Sequence, residues 1–202
     1  VWQREQMAAG ALAADLDYWR ETLRGAPQVL DLPTDRPRPA MQSFRGERLP
    51  IALSADLSGA VRDFARRLGA TPFMVFLAAF SAVLARWANK DDLLIGSPIA
   101  NRNRAETEGL IGFFANTIAL RADLAGDPSF RELVVRMRDI TLGAYDHQDL
   151  PFERLVEELR PELTELAFRP TPAEEYERVA DQARELLLRM DEERQRAGKT
   201  TS

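Results

Sequence analysis

The chain has 202 residues, no cysteine, one histidine and a formal net charge of −5 at pH 7, a length that can bury one substantial core. The lack of cysteine excludes disulfide bonds, thiolate catalysis and cysteine metal sites, and a single histidine gives no metal-binding spacing. The negative charge provides no basic field for phosphates, which argues against a nucleic-acid partner. No segment has the pattern of a membrane span or a signal peptide, so we expect a cytoplasmic protein without a membrane partner.

The first segment has a helical pattern from Trp2 to Leu23, with apolar residues recurring on one stripe. The pattern is already under way at Val1, where no methionine stands, so we expect a cut edge and not a natural start. Residues 26–46 are rich in proline and lack periodicity. This composition predicts an extended connector.

One short strand and two helices are predicted next. The segment Arg48–Leu53 alternates as a strand does, and Ser54 is a suitable cap for a helix that ends near Gly69. Thr71, followed by proline, is placed to cap a second helix over residues 73–87, which is apolar almost all round. Such a helix is typical of the middle of a core.

Two further strands and two further helices are predicted in the remaining sequence. The sequence predicts two strands joined by a polar loop, then two helices: Asp92–Ile99, the loop Asn101–Gly112, Ile111–Arg121, a helix from Asp127-Pro128 to near Tyr145, and Phe152–Leu159. This order predicts an α/β fold in which helices flank a mixed sheet.

A polar pair, Asn116 and Thr117, interrupts the apolar strand segment. Such a run is typical of a strand that is buried on both faces. An amide there costs free energy unless it is satisfied, so Asn116 either joins two core elements or faces a cavity. We favour the first alternative and keep both residues as candidates for a site.

A second polar segment follows about 30 residues later, at His147-Gln148-Asp149-Leu150-Pro151-Phe152-Glu153. Pro151 is predicted at the first position of a short helix, with Glu153 as a first-turn carboxylate near the positive end of the helix dipole. We expect His147, Gln148 and Asp149 to bind neighbouring backbone groups, and Asp149 to help cap the helix. Phe152 completes this structural motif.

These two stretches, in this order, resemble late signature motifs of the condensation domains of nonribosomal peptide synthetases. The resemblance includes Tyr18-Trp19, the segment from Leu32 to Pro39, Thr71-Pro72-Phe73-Met74 and Gly96-Ser97-Pro98-Ile99-Ala100-Asn101-Arg102. It covers most of residues 1–161, which we assign to a partial condensation domain. The resemblance implies one lobe, the second, of a two-lobed fold like that of chloramphenicol acetyltransferase.

The resemblance implies amide-bond formation, in which a carrier-bound aminoacyl amine attacks the thioester of a carrier-bound donor. It implies peptidyl carrier protein domains, a first lobe and adjacent synthetase domains as partners. No cofactor is expected to bind directly, because the substrates are implied to be presented on the phosphopantetheine of the carriers. The family's His-His-x-x-x-Asp-Gly motif does not occur in these 202 residues. We therefore assign no catalytic residue and expect the chain to be inactive alone.

The resemblance also places Arg102 near the carrier-facing channel, and it makes Asn116 and Thr117 candidates for the tunnel wall. For most of the polar loop around Arg102 we favour a solvated rim. His147 is the only histidine, and an imidazole can act as a general base near neutrality. The family tolerates asparagine at that motif position, so a structural role is the preferred interpretation.

Residues 162–202 depart from the family pattern and predict one long amphipathic C-terminal helix. Thr171 and Glu174 have the spacing of a capping box, and an apolar stripe follows them. The stripe requires a surface to bury against, which is either this chain's own core or a partner helix, self-association included. A non-catalytic scaffold that docks a partner through residues 172–197 is therefore the alternative function. A free-standing oligomeric acyltransferase is the third hypothesis.

Overall fold

The computed structural model describes residues 10–27, 29–34, 50–103 and 105–159. The predicted C-terminal helix, including residues 172–197, lies outside the described residues, as do most of the connector and the start of the first helix. The elements are, in order, α1 Ala13–Thr22, α2 Ala55–Arg67, α3 Pro72–Ala88, β1 Asp92–Ile99, α4 Ala105–Glu108, β2 Asn116–Asp123, α5 Phe130–Asp146 and α6 Phe152–Glu158. The α/β class predicted from the sequence is confirmed.

The chain divides into two compact units. The first contains the described parts of residues 1–30, 92–123 and 139–167, and the second contains those of residues 31–91 and 124–138. Both strands belong to the first unit, and α2 and α3 belong to the second. The candidate residues of the two polar motifs all lie in the first unit.

The sheet of the described residues consists of β1 and β2, paired antiparallel. Asp92 lies opposite Asp123 at one end, and Ile99 lies opposite Asn116 at the other. Ile118, Ala119 and Leu120 are successive residues and are all buried, so β2 is covered on both faces here, as its apolar sequence predicts. No parallel strand pair occurs in the described part of the chain, so the mixed sheet stays a prediction.

The second unit has α3 at its centre. Val75 and Ala78 are completely buried, and apolar burial extends round the helix, which confirms its predicted place in a core. The Oγ1 of Thr71 caps α3 as predicted, and Ser54 caps α2. No helix in the described residues is long and apolar enough to cross a membrane; α2 and α3 reach that length only as a pair, bent by 101°.

Two predictions about strands are wrong. The described residues 50–54 form no strand, and Ile51 is exposed. Alternation of apolar and polar residues is therefore not sufficient for a strand, which also needs a neighbouring strand to pair with. β2 begins at Asn116 and not at Ile111. Residues 111–115 form a loop because β1 ends opposite Asn116, and no strand of the described residues pairs with the preceding backbone.

This loop exposes apolar side chains. Phe113 is 92% exposed, Ile111 is fully exposed and Leu110 is more than half exposed. Single exposed apolar residues are common on protein surfaces, but a cluster of this kind marks a contact surface or an association liability.

We predict that the isolated chain binds a hydrophobic dye and that the double substitution Ile111→Ser and Phe113→Ser lowers dye fluorescence, because two of the most exposed apolar side chains are removed. Ile51→Ser is the control, since it removes one exposed aliphatic side chain elsewhere. Dye titration at equal protein concentration measures the effect. An unmodified chain that binds no dye, or equal losses in control and double variant, would contradict the prediction.

Candidate functional site

The side chain of Asn116 joins the two polar motifs. Its Nδ2 donates to the backbone carbonyls of Gln148 (3.0 Å) and Leu150 (2.9 Å), and its Oδ1 accepts from the backbone N–H of Phe152 (3.1 Å). Two carbonyl acceptors and one N–H donor leave a single orientation for the amide. Asn116, the first residue of β2, thus binds the turn that leads into α6. The sequence analysis favoured such a connection between two core elements.

The N-terminus of α6 is capped from outside its own sequence. Pro151, predicted as the first helical residue, is instead the N-cap residue, and its side chain forms no capping hydrogen bond. Asp149 does not cap the helix either; its Oδ1 accepts from Nδ2 of Asn103 at 3.2 Å. Asn116 instead satisfies the N–H of Phe152, one of the donors that a helix start leaves without an intrahelical partner. Glu153 lies in the first turn as predicted and is exposed.

His147 is bound to α1. Its Nδ1 lies 2.7 Å from Oδ1 of Asp15, and because an ionised carboxylate only accepts, the imidazole donates. The ring stacks on Tyr18 with centroids 4.0 Å apart, and the indole Nε1 of the buried Trp19 donates to the backbone carbonyl of His147 at 2.9 Å. The imidazole therefore contacts side chains and not the backbone groups we expected. Asp15 and the Tyr18-Trp19 pair hold the turn against α1.

Tyr18 also contacts α5, at Gly143. A Cβ built on Gly143 would lie 2.6 Å from the Tyr18 hydroxyl oxygen, so the glycine makes room for the phenol. Burial is the main cause that raises the pKa of Tyr18 above its ordinary value; hydrogen bonding to Thr22 acts against the rise, and the nearby Asp146 carboxylate adds to it. The phenol is accordingly a neutral packing group.

Arg102 organises the loop in which it lies. Its guanidinium donates to the backbone carbonyls of Thr107, Leu110 (2.9 Å) and Gly112 (3.1 Å), and it lies 4.3 Å from the centroid of the Phe114 ring. These contacts fix the loop between β1 and β2. The cation thus closes a polar loop, and its role at the carrier-facing channel stays a prediction.

An open cleft lies beside the Asn116 network. Its lining comprises Pro98, Ile99, Ala100, Asn101, Arg102, Tyr145 and Gln148. Gln148 Nε2 donates to the carbonyl of Tyr145 at 2.7 Å, which leaves the Gln148 side-chain oxygen as an acceptor.

Thr117 pairs with Pro98 on the face of the sheet opposite to that of Asn116, so the structure does not bring the predicted polar pair together at one site. Among the described residues, no three acidic or histidine side chains group as metal ligands.

Arg121 ties α1 to the sheet and was missed by sequence reasoning. Its Nε and Nη2 bind the Asp92 carboxylate at 2.7–3.2 Å, and Nη1 donates to the carbonyls of Thr22 and Arg24 at the end of α1. Hydrogen bonding to Asp92 raises the pKa of Arg121 further. The available signal was an arginine inside a buried strand, since a buried guanidinium needs a carboxylate partner.

Comparison with known proteins defines the class. The family model described as Condensation domain matches residues 1–190, beyond the boundary at 161 that the motifs indicate. The chain belongs to the condensation domain family, and its fold is the chloramphenicol acetyltransferase-like fold of that family.

Two curated relatives show how much of a synthetase the chain represents. It is 53% identical over 161 residues to malpinin synthetase of Mortierella alpina, covering 80% of this chain and 2% of the relative. It is 51% identical over 163 residues to phosphinothricin tripeptide synthetase PhsC of Streptomyces viridochromogenes, covering 81% of this chain and 15% of the relative. The chain spans less than a sixth of either protein.

Solved structures give the same assignment. The X-domain in its complex with OxyB from teicoplanin biosynthesis is 29% identical with a TM-score of 0.76, over 84% of this chain and 38% of that one. SgcC5 from Streptomyces globisporus is 34% identical with a TM-score of 0.69, over 80% and 36% of the two chains. The chain thus corresponds to less than half of each of these structures.

We predict that Asn116→Ala destabilises the chain by about 2–4 kcal/mol, because two carbonyls and one N–H lose their partner in a partly buried place. Asn116→Asp should be no better, since a carboxylate would face the two carbonyl oxygens. Asn103→Ala is the matched control: it removes one exposed amide contact and should change stability by less than about 1 kcal/mol. Urea unfolding measures both, and equal small losses would refute the assigned role.

We predict opposite effects for two helical Gly→Ala substitutions. Gly59→Ala on α2 meets open space and should stabilise by about 0.5–1 kcal/mol through helix propensity. Gly143→Ala on α5 should destabilise, because the new methyl group collides with the Tyr18 hydroxyl. Tyr18→Phe removes that oxygen and should restore most of the loss. Thermal unfolding of the three variants decides the matter, and a stabilising Gly143→Ala would show that Tyr18 moves freely.

Proposed function

We propose that this chain forms part of a synthetase condensation domain that joins a carrier-bound aminoacyl or peptidyl thioester to a carrier-bound aminoacyl acceptor. In this reaction the acceptor amine attacks the donor carbonyl, a carbon–nitrogen bond forms, and the carbon–sulfur bond breaks to release the carrier thiol. Family membership supports the reaction class. The hydrogen bonds by which Asn116 connects the two polar motifs support a role for this chain in that reaction.

The contribution of this chain is positional. Asn116 holds the end of β2 against the start of α6, and His147 holds the same turn against α1. The cleft that borders this network offers the Gln148 amide oxygen as an acceptor for an amide-containing arm. His147 contacts Asp15 through Nδ1, and we assign it the structural role preferred from the sequence and no step of proton transfer.

The partners follow from the same proposal. Carrier protein domains present both substrates on phosphopantetheine, and further parts of the condensation domain and neighbouring synthetase domains complete the site. Support comes from the relatives, which are named as synthetases, and from a similar chain described as a four-domain nonribosomal peptide synthetase. A cytoplasmic location is part of the proposal and is supported by the absence of cysteine.

A segment exchange tests the proposal. In phosphinothricin tripeptide synthetase PhsC, the segment matching residues 1–161 is replaced by this chain's residues. We expect the hybrid to form the amide between loaded carriers, and the hybrid with Asn116→Ala to lose most of that activity. The isolated chain with the same carriers should give no product above the uncatalysed background.

The hybrid must first show cooperative unfolding and carrier binding, so that a loss of activity through misfolding is excluded. A folded, carrier-binding hybrid without amide formation would overturn the proposed function. Turnover by the isolated chain would overturn the expectation that it is inactive alone.

A further inference from the structure

An exposed group of two arginines and two phenylalanines lies in the second unit, away from the polar motifs in sequence. Arg67 and Arg131 each place their guanidinium carbon 5.8 Å from the centroid of the Phe64 ring, and that ring stacks on Phe130 at 6.0 Å. Both arginines are exposed, and both rings are half-buried. We call these four residues the arginine–phenylalanine patch.

The charges of the patch are not neutralised within the described residues. Neither Arg67 nor Arg131 makes an ion pair there. The neighbouring carboxylates are engaged elsewhere: Asp63 pairs with Arg66, and Glu132 accepts from the N–H and hydroxyl of Ser129. Hydrogen bonding to Ser129 lowers the pKa of Glu132, which keeps this carboxylate ionised and bound at its own helix start.

The position of Arg131 is also electrostatically unfavourable. It lies in the first turn of α5, where the helix dipole disfavours a cation, and it shares one aromatic ring with a second cation. An acidic occupant would relieve both repulsions. Arginine and aromatic residues, phenylalanine included, are enriched at protein contact surfaces.

We propose that the arginine–phenylalanine patch is the docking surface for this chain's own segment 172–197. That segment carries eight acidic residues against five arginines, together with the apolar stripe predicted above, so it matches the patch in charge and in apolar character. Residues 160–171 connect it to the described part. Fully extended, these twelve residues span at most about 40 Å.

Hydrogen exchange on the full chain tests this assignment. Amides of residues 172–197 should be protected in the unmodified chain, and Arg67→Glu should speed their exchange by about fivefold to tenfold, as expected for losing one exposed cation contact and gaining a repulsion. Arg62→Glu is the matched control, since Arg62 is exposed on the same helix, lies over no ring of the described residues and carries the same charge change. Added salt should reproduce the loss in part.

Exchange in α2 and α3 is measured in the same samples and should be unchanged in both variants, which separates undocking from unfolding. Unprotected amides in the unmodified chain, or equal effects of Arg67→Glu and Arg62→Glu, would overturn the proposal. Protection that rises with protein concentration would also overturn it, because the occupant would then be the tail of a second copy.

Discussion

Two stretches about thirty residues apart in sequence meet at the amide of Asn116, and the geometry of the first unit depends on that meeting. Desolvating an amide at the start of a strand costs free energy unless the amide is hydrogen-bonded. Here it binds the two carbonyls of Gln148 and Leu150 and the N–H of Phe152, which fixes where α6 begins. His147 then secures the same turn to α1 through Asp15 and Tyr18. Sheet, turn and helix are thus connected through side chains whose types the sequence displays.

The sequence could predict the elements whose local signals agree. The Thr71 cap followed by an apolar run identified α3, and the consecutive apolar residues after Thr117 identified a strand covered on both faces. It could not predict where pairing stops, because Ile111 and Phe113 are as apolar as the strand that follows, and only the end of β1 leaves them without a partner strand among the described residues. β-propensity describes a preference for a sheet position and does not supply the neighbouring strand.

The same limit applies to the candidate site. Asn116 was identifiable because one amide in an apolar run demands a partner, but the partner's identity depended on the path of residues 147–152. Arg102 was placed by resemblance, and its guanidinium is committed to three carbonyls of its own loop. Arg121 forms bonds that span about a hundred residues, to Thr22 and Arg24, and nothing in its neighbouring sequence specifies them. Pattern identifies the residue that needs a partner, whereas tertiary structure selects the partner.

The Asn116 contacts also specify the strand register. Successive side chains on a strand point to opposite faces, so a slip of one residue would put Thr117 where Asn116 lies and turn the amide to the other face. Threonine has one donor and cannot bind both the Gln148 and Leu150 carbonyls, and the Phe152 N–H would lose the amide oxygen as its acceptor. The slipped pairing would therefore leave buried or partly buried backbone groups without partners, at about 1–3 kcal/mol for each group. A residue that contributes little to burial thus decides between two otherwise similar apolar pairings, which is why an amide is better suited than an aliphatic residue to this position.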